Sequence, residues 1–380
     1  MIYLDNAATT KPRKEVIKIL AESAENDFIN PSSLHTGGLE VSNKIENARE
    51  TITKLINTNY YTNINSNYGG SLATQQLIFT SGGTEANNMA INSAKGDIIT
   101  AISEHDSVLA PIERKKGTQK VDYVKVNKYA KVDIDSLQSL LSENTSFISI
   151  MHTNNELGTI NDIDEIGKII KTKTPKAIFH VDGVSAFAKE NVSLKYVDIF
   201  TFSSHKINGP KGVGCIWAKN GKIIPMLFGG SQEKKIRPGT ENTNGIIAFA
   251  KAAEIAFSEK DKNKEHVYNL KKEFIKKLEN LEIKHVINSP ENASPYVLNL
   301  SFLGLKAQVL VNALSNEKIY LSTGAACSAR EKRNTLKNLG LSNELSETAI
   351  RISFSHENTL EEMQTVANKI KEISNYLIIK

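Results

Sequence analysis

Two side chains in this 380-residue chain stand in settings that favour covalent chemistry. Lys206 lies in TFSSHKINGPKG (201–212), where the apolar, β-rich run 197–202 delivers two serines, a histidine and a lysine into a Gly/Pro-rich turn. An amine partly desolvated at a strand end and beside His205 has its pKa lowered and can bond a carbonyl carbon as a Schiff base. Taken alone, Lys206 also fits a solvated loop lysine, one of many here. Cys327 lies in STGAACSA (322–329), among small neighbours that leave its sulfur unhindered on a loop. A thiolate in that setting is a nucleophile. Cys215, in GVGCIWA, sits inside an apolar strand pattern and reads as a buried, inert thiol.

The elements that must position these groups can be read from periodicity. Runs 77–80, 97–103, 121–126, 146–153, 177–182, 197–202 and 213–218 read as strands. Several are apolar throughout, as strands covered on both faces are, and helical patterns such as 135–141 and 164–171 lie between them. This alternation predicts an α/β fold built on a doubly wound, mostly parallel seven-stranded sheet. A long helical region follows over 245–281, broken by the charged stretch 258–265. Strands near 285–288, 297–302 and 349–355, mixed with helices over 307–316 and 359–378, then predict a smaller α+β domain. The expected division is a large domain of residues 16–255 and a small domain of residues 1–15 plus 256–380, the latter carrying the cysteine loop. The Asn/Tyr-biased segment 57–67 lacks usable periodicity and is expected to be a surface loop.

Composition narrows the class. No apolar run approaches the roughly 20 residues needed to span a bilayer. The start, MIYLDN, lacks a basic stretch followed by an apolar core, so a cytoplasmic protein is expected. Two distant cysteines without a Cys-x-x-Cys argue against a structural zinc site and a disulfide scaffold, so no metal is expected. The net charge of +5 comes from scattered lysines with no aromatic-interleaved basic block, which gives no reason to expect nucleic-acid binding or a membrane.

Polar groups collect where the predicted strands end. TSGGTEANN (80–88) follows a strand and opens a helix: Gly83 permits close backbone approach, Thr84 offers a hydroxyl, and the helix start offers free N–H groups to a phosphate. By itself such a turn is also a common helix cap. Asp182 ends AIFHVD, where it could pair with a protonated ring nitrogen or merely cap a helix. His105, in SEHDS, could stack on a flat ring or be structural. MHTNNELG (151–158) adds Asn154 and Asn155. A parallel sheet brings such ends to one edge, where ligands bind. Together they form a site suited to pyridoxal 5′-phosphate.

These motifs, with YLDNAATT (3–10), NPSSLHTGG (30–38), IRPGTEN (236–242) and AIRISFS (349–355), run almost end to end. The chain resembles the pyridoxal-phosphate-dependent cysteine desulfurases of the class-V aminotransferase family, fold type I. The resemblance implies Lys206 as the cofactor-bonding lysine, Asp182 at the pyridine nitrogen, His105 stacked on the ring and Asn155 near the ring hydroxyl. It further implies Thr84, Ser203 and His205 on the phosphate, with Thr240 reaching a phosphate across a homodimer interface. Arg351 would hold the substrate carboxylate, a task suited to a bidentate fork, assisted by Asn30. Cys327 would take sulfur from L-cysteine as a persulfide and pass it to an acceptor protein, either an iron–sulfur scaffold or a tRNA-thiolation protein.

The chain also departs from the family's pattern. Ser185 stands where the family usually has glutamine beside Asn155, and serine is too short to copy that reach directly. Ser231, in GGSQE, replaces a usual glycine. Alternative readings are a selenocysteine lyase or aminotransferase of the same fold, or a catalytically silent sulfur-relay scaffold. Cys327 disfavours the aminotransferase, and Ser185 is the one feature favouring the scaffold.

Overall fold

A computed structural model of the chain describes residues 1–60, 76–219, 223–323 and 335–377. Its central sheet has seven strands in the order Gln76–Thr80, Gly214–Ala218, Ile199–Ser203, Ile178–Asp182, Thr145–Ser149, Asp97–Ala101 and Val121–Val124. Gly214–Ala218 runs antiparallel to both neighbours and all other pairings are parallel. The expected doubly wound, mostly parallel sheet is the observed one. Three strands end two to four residues earlier than the runs suggest; for Thr145–Ser149 the chain leaving the sheet edge stays apolar and buried. Met151, buried just beyond Thr145–Ser149, is an example.

Burial explains the sequence pattern. Every residue of Ile199–Ser203 and Gly214–Ala218 is buried, so these strands gain from apolar side chains on both faces. One face packs Phe187, Phe200, Phe202 and Phe249 into an aromatic cluster, with Phe187 and Phe202 stacked at 4.0 Å between ring centroids. The other covers Ile78, Ile199 and Ile216 with Met89, Ala90 and Ile91 of helix Gly83–Asn92. The glycine-rich turn before that helix lies directly on the sheet: a Cβ built on Gly214 would fall 2.7 Å from Gly82 Cα. Glycine is needed there because two backbones touch.

A second sheet, antiparallel, orders Ser322–Thr323, Ala349–Ser353, Val297–Phe302 and His285–Ile287. Helices Lys260–Asn280, Ala307–Asn316 and Leu360–Leu377 accompany it. They share an apolar cluster that includes Leu270, Phe274, Leu298, Leu310, Ile352 and Val366. The N-terminal segment links this cluster to the site. Leu4 is buried in it, Ile2–Tyr3 pairs with Ile319–Tyr320, and Thr10 N–H donates to the His205 carbonyl at 2.9 Å.

Two local expectations are corrected. Residues 57–60 are not loop: they complete helix Thr36–Tyr60, whose last residue buries its ring against Phe187 and Phe200, so packing overrides the Asn-rich composition. The remainder of that segment lies outside the described residues. The long helical region breaks at Glu259 alone, between Thr243–Ser258 and Lys260–Asn280. Charged residues 260–265 are helical, since Lys and Glu are good helix formers. Glu259, with φ −105° and ψ 3°, is held at the break by an ion pair with Arg13.

The edge of the main sheet is tied to the loop that leads to Thr240 by one buried ion pair. Arg49 reaches both carboxylate oxygens of Glu233 at 2.8 Å and the Leu77 carbonyl at 2.7 Å, while Glu233 accepts from Phe79 N–H. Removing one partner strands the other charge in the interior. Arg49→Leu should lower the unfolding free energy by about 3–5 kcal/mol. Urea titration of the variant checks this, and a loss below about 1 kcal/mol would contradict the role given to the pair.

Candidate functional site

The parallel strands end on one edge, where a cleft of about 420 Å³ opens. Gly83, Thr84, His105, Asn155, Asp182, Ser185, His205, Lys206 and Arg351 all line it, together with Asp5, Ala7, Ala8, Ser107, Met151, Val184 and Ser322. Residues more than 260 positions apart in sequence thus share one cavity.

Each group is held by its own element. Gly83 and Thr84 open helix Gly83–Asn92, whose N-cap Gly82 supplies no side-chain hydrogen bond. Beneath the turn, the Ser203 hydroxyl is buried with no partner among the described residues, and it would lie 4.0 Å from a Cβ built on Gly82. An uncapped helix start beside an unpartnered buried hydroxyl suits an anion such as a phosphate. Asp182, at the end of Ile178–Asp182, is buried and accepts from Asn87 Nδ2 at 2.8 Å and from Val184 N–H at 2.9 Å. Its position offers a carboxylate to a ring nitrogen. Lys206 Nζ donates to the carbonyls of Ala7 and Ala8, so the N-terminal segment cradles the amine. These donors and acceptors fit pyridoxal 5′-phosphate: a phosphate at the helix start, a ring nitrogen at Asp182 and a carbonyl carbon within the lysine's pocket.

Electrostatics separate the groups further. Burial, with Lys206 and Lys211 nearby, brings His205 down to about 4, so it enters the cleft as neutral imidazole. Arg351 is buried and donates to Glu156 Oε1 at 2.8 Å and Asp5 Oδ1 at 2.9 Å, two carboxylates contributed by distant segments. Burial raises Glu156 and Arg351 opposes that rise. Glu104 is pushed well above the usual carboxylate range by burial and by Asp182, while its Oε1 accepts from Met151 N–H at 2.6 Å.

Other predicted residues lie elsewhere. Asn30 is exposed, does not line this cleft, and accepts from Ser32 N–H at 2.9 Å. Thr240 is exposed on the segment after Gly239 and also lies off the cleft lining. Cys327 lies outside the described residues, although Ser322, upstream of it, lines the cleft. Cys215 is fully buried with its thiol pushed up by that burial, as expected of an inert core cysteine.

Sequence reading missed Asn87, Asp5, Glu156, Glu104 and Lys189. Four of them sit inside or beside quoted motifs, but nothing in spacing shows that a charged group will be buried. Lys189 lines a small inner cavity with Ser185 and Lys206, and burial followed by the Lys206 charge brings its amine down to about 7.

A scan against protein families matches residues 2–366 to aminotransferase class-V. The chain belongs to the class-V aminotransferase family. Among its relatives is a cysteine desulfurase IscS from Dictyoglomus turgidum, 38% identical, with 99% of this chain and 96% of the relative aligned. A solved NifS-like protein superposes with a TM-score of 0.89 at 34% identity, covering 99% of this chain and 100% of that one. SspA in complex with cysteine superposes at 0.79 with 26% identity, covering 94% and 100%. This family is pyridoxal-phosphate-dependent, in keeping with the donor set of the cleft.

His152 supports the site from below, since its N–H donates to the Asp182 carbonyl at 3.0 Å and its ring contacts Thr153 and Asn191. Burial holds it down to about 4, so the folded state keeps it neutral while an unfolded chain protonates near 6.5. The unfolded state therefore binds the extra proton as pH falls, and this group is destabilising only below 6.5. Between pH 6.5 and about 4 wild type should lose roughly 1.4 kcal/mol per pH unit relative to His152→Gln. Urea unfolding of both proteins at pH 7, 6 and 5 measures the difference, and parallel stability curves would sink the assignment.

Proposed function

We propose that the protein is a pyridoxal-phosphate-dependent cysteine desulfurase that converts L-cysteine to L-alanine and retains the sulfur on Cys327. The observation that carries the reading is the convergence of an amine, a buried carboxylate, an uncapped helix start and a buried arginine on one cleft in a class-V aminotransferase chain. Relatives named cysteine desulfurase and a neighbour solved with cysteine supply the substrate class.

Residue roles are assigned from the family resemblance, supported for the residues that line the cleft by their placement there. Lys206 is the covalent attachment point and, once the substrate amine has taken its place, the base that moves protons at Nζ. Gly83, Thr84, Ser203 and His205 hold the phosphate, and Thr240 completes that contact from one protomer of a homodimer to its partner. Asp182 holds the proton on the ring nitrogen, His105 stacks on the ring, and Asn155 with Ser185 faces the ring hydroxyl. Pyridoxal 5′-phosphate supplies an electron sink that makes the sulfur of bound cysteine electrophilic. Arg351 orients the substrate carboxylate with its guanidinium, and Asn30 assists. The Cys327 thiolate attacks the substrate sulfur, so an S–S bond forms as the C–S bond breaks, and the electron pair left on the substrate's Cβ takes a proton to give alanine beside an enzyme persulfide.

The wider organisation is proposed on the same basis. Residues 16–255 form the large domain and residues 1–15 plus 256–380 the small one, a division supported by their separate apolar clusters. Exposed Leu227 and Phe228, near the Thr240 segment, support a homodimer surface. No helix among the described residues is long and apolar enough to cross a membrane. A cytoplasmic setting would keep the Cys327 thiol reduced for transfer to an iron–sulfur scaffold or tRNA-thiolation protein.

Mass spectrometry after brief exposure to L-cysteine should find one added sulfur on the Cys327 peptide. Cys327→Ala should bind cofactor and cysteine but form no persulfide, whereas Lys206→Ala should form neither the covalent cofactor link nor alanine. Equal multiple-turnover sulfide release by wild type and Cys327→Ala would overturn the role of the thiol.

A further inference from the structure

Behind the cleft, side chains buried in the sheet form a continuous hydrogen-bonded chain that ends on Asp182. Ser149 Oγ lies 2.9 Å from His180 Nδ1, and His180 Nε2 lies 3.2 Å from Thr201 Oγ1. Thr201 donates to Asn87 Oδ1 at 2.5 Å, and Asn87 Nδ2 donates to Asp182 Oδ2 at 2.8 Å. Ser149, His180, Thr201 and Asn87 are each 0% exposed. The same Nδ2 donates to Ser107 Oγ at 2.8 Å, and Ser107 Oγ lies 2.8 Å from His105 Nδ1.

The direction of every bond in this chain follows from its end. Both Asp182 oxygens act as acceptors, Oδ1 from Val184 N–H and Oδ2 from Asn87, so the Asn87 atom facing Asp182 is the amide nitrogen and the one facing Thr201 is the oxygen. The Thr201 hydroxyl proton is then committed to Asn87, and its oxygen must accept from His180 Nε2–H. His180 therefore carries its proton on Nε2 and accepts from Ser149 at Nδ1. Burial, which holds His180 down to about 3, keeps this single-proton form. On the other branch Ser107 N–H donates to His105 Nδ1 at 3.1 Å, so Nδ1 carries no proton and the Ser107 hydroxyl, which accepts from Asn87, also donates to it. His105 is thereby left with its proton on Nε2.

We propose that Asn87 is a positioning residue for the reaction: its amide fixes the acceptor orientation of Asp182 and, through Ser107 Oγ, the second hydrogen bond that His105 Nδ1 receives. The ring carboxylate and the stacking histidine then meet the cofactor in one set protonation pattern. Both hydrogens of one buried NH₂ group are used, so neither group can change its bonding without the other. This rests on the pyridoxal-phosphate reading, but its first test does not.

In full-length protein free of cofactor and labelled with ¹⁵N-histidine, NMR should show His105 and His180 as Nε2–H tautomers. An Nδ1–H form at either position in wild type overturns the proposal. In Asn87→Leu the Thr201 hydroxyl is released, and His180 should become a mixture of tautomers. Should that variant fail to fold, Thr201→Val keeps side-chain volume while removing the donor to Asn87, and Thr201→Ser should restore it. In reconstituted enzyme Asn87→Leu or Thr201→Val should shift the visible absorption maximum of bound pyridoxal phosphate. For the leucine variant kcat should fall about tenfold or more, as expected for losing a bond to a charged group, with KM within about threefold. Wild-type spectra and kcat in both variants, whatever their stability, would make Asn87 a structural residue only and defeat the proposal. Failure of wild type to bind pyridoxal phosphate would defeat the functional reading instead, while the tautomer measurement still decides this one.

Discussion

A buried carboxylate must find partners, and Asp182 is the one that organises this molecule. It ends the central strand of the sheet with 5% of its surface exposed, where an unpaired charge would be costly to hold. Its partners come from two directions: the backbone N–H of Val184 in the next turn, and the amide of Asn87 from helix Gly83–Asn92. That second bond fixes the helix to the sheet at the point where its start opens onto the cleft. The helix-start end and the carboxylate end of the cleft are therefore set by one contact.

The other polar groups are arranged around the same constraint. Glu104, next to His105, is buried, and that burial together with the nearby Asp182 carboxylate pushes its pKa well above the usual carboxylate range. Arg351 meets the opposite requirement, a buried cation, and answers it with Asp5 and Glu156. Asp5 belongs to the N-terminal segment, Glu156 to the turn after Thr145–Ser149, and Arg351 to the second sheet. One guanidinium thus ties three separate parts of the chain to the mouth of the cleft. An incoming carboxylate would enter a site already neutralised, so binding there exchanges partners rather than satisfying a free charge.

The N-terminal segment shows how little chain is needed to join the two sheets. Leu4 is buried in the smaller apolar cluster, while the carbonyls of Ala7 and Ala8 accept from Lys206 and Thr10 bonds the His205 carbonyl. Within a few residues the chain passes from core packing to contact with the Lys206 amine. Movement of the smaller sheet would therefore be felt at Lys206 through backbone hydrogen bonds.

Much of this was legible in one dimension. The apolar runs specify strands because burial on both faces favours apolar side chains and admits polar ones only where they are hydrogen-bonded, and the polar residues that follow them mark one edge because parallel strands end together. Lys206, Asp182 and His105 were readable for that reason. Local composition misled where packing outweighed it: residues 57–60 look like loop but finish a helix on the strength of Tyr60, and the charged stretch 260–265 is helix up to a break at Glu259. Only the tertiary structure decided which groups would be buried and against what. Asn87 is an ordinary helical asparagine in sequence, and Asp5, Glu104 and Glu156 are ordinary acids. Asn155 beside Glu156 apart, their side-chain partners lie between 20 and 346 positions away, and hydrogen bonding across such distances leaves no periodic trace in the chain. The sequence determined the kinds of group at the sheet edge, and folding determined their charge, orientation and company.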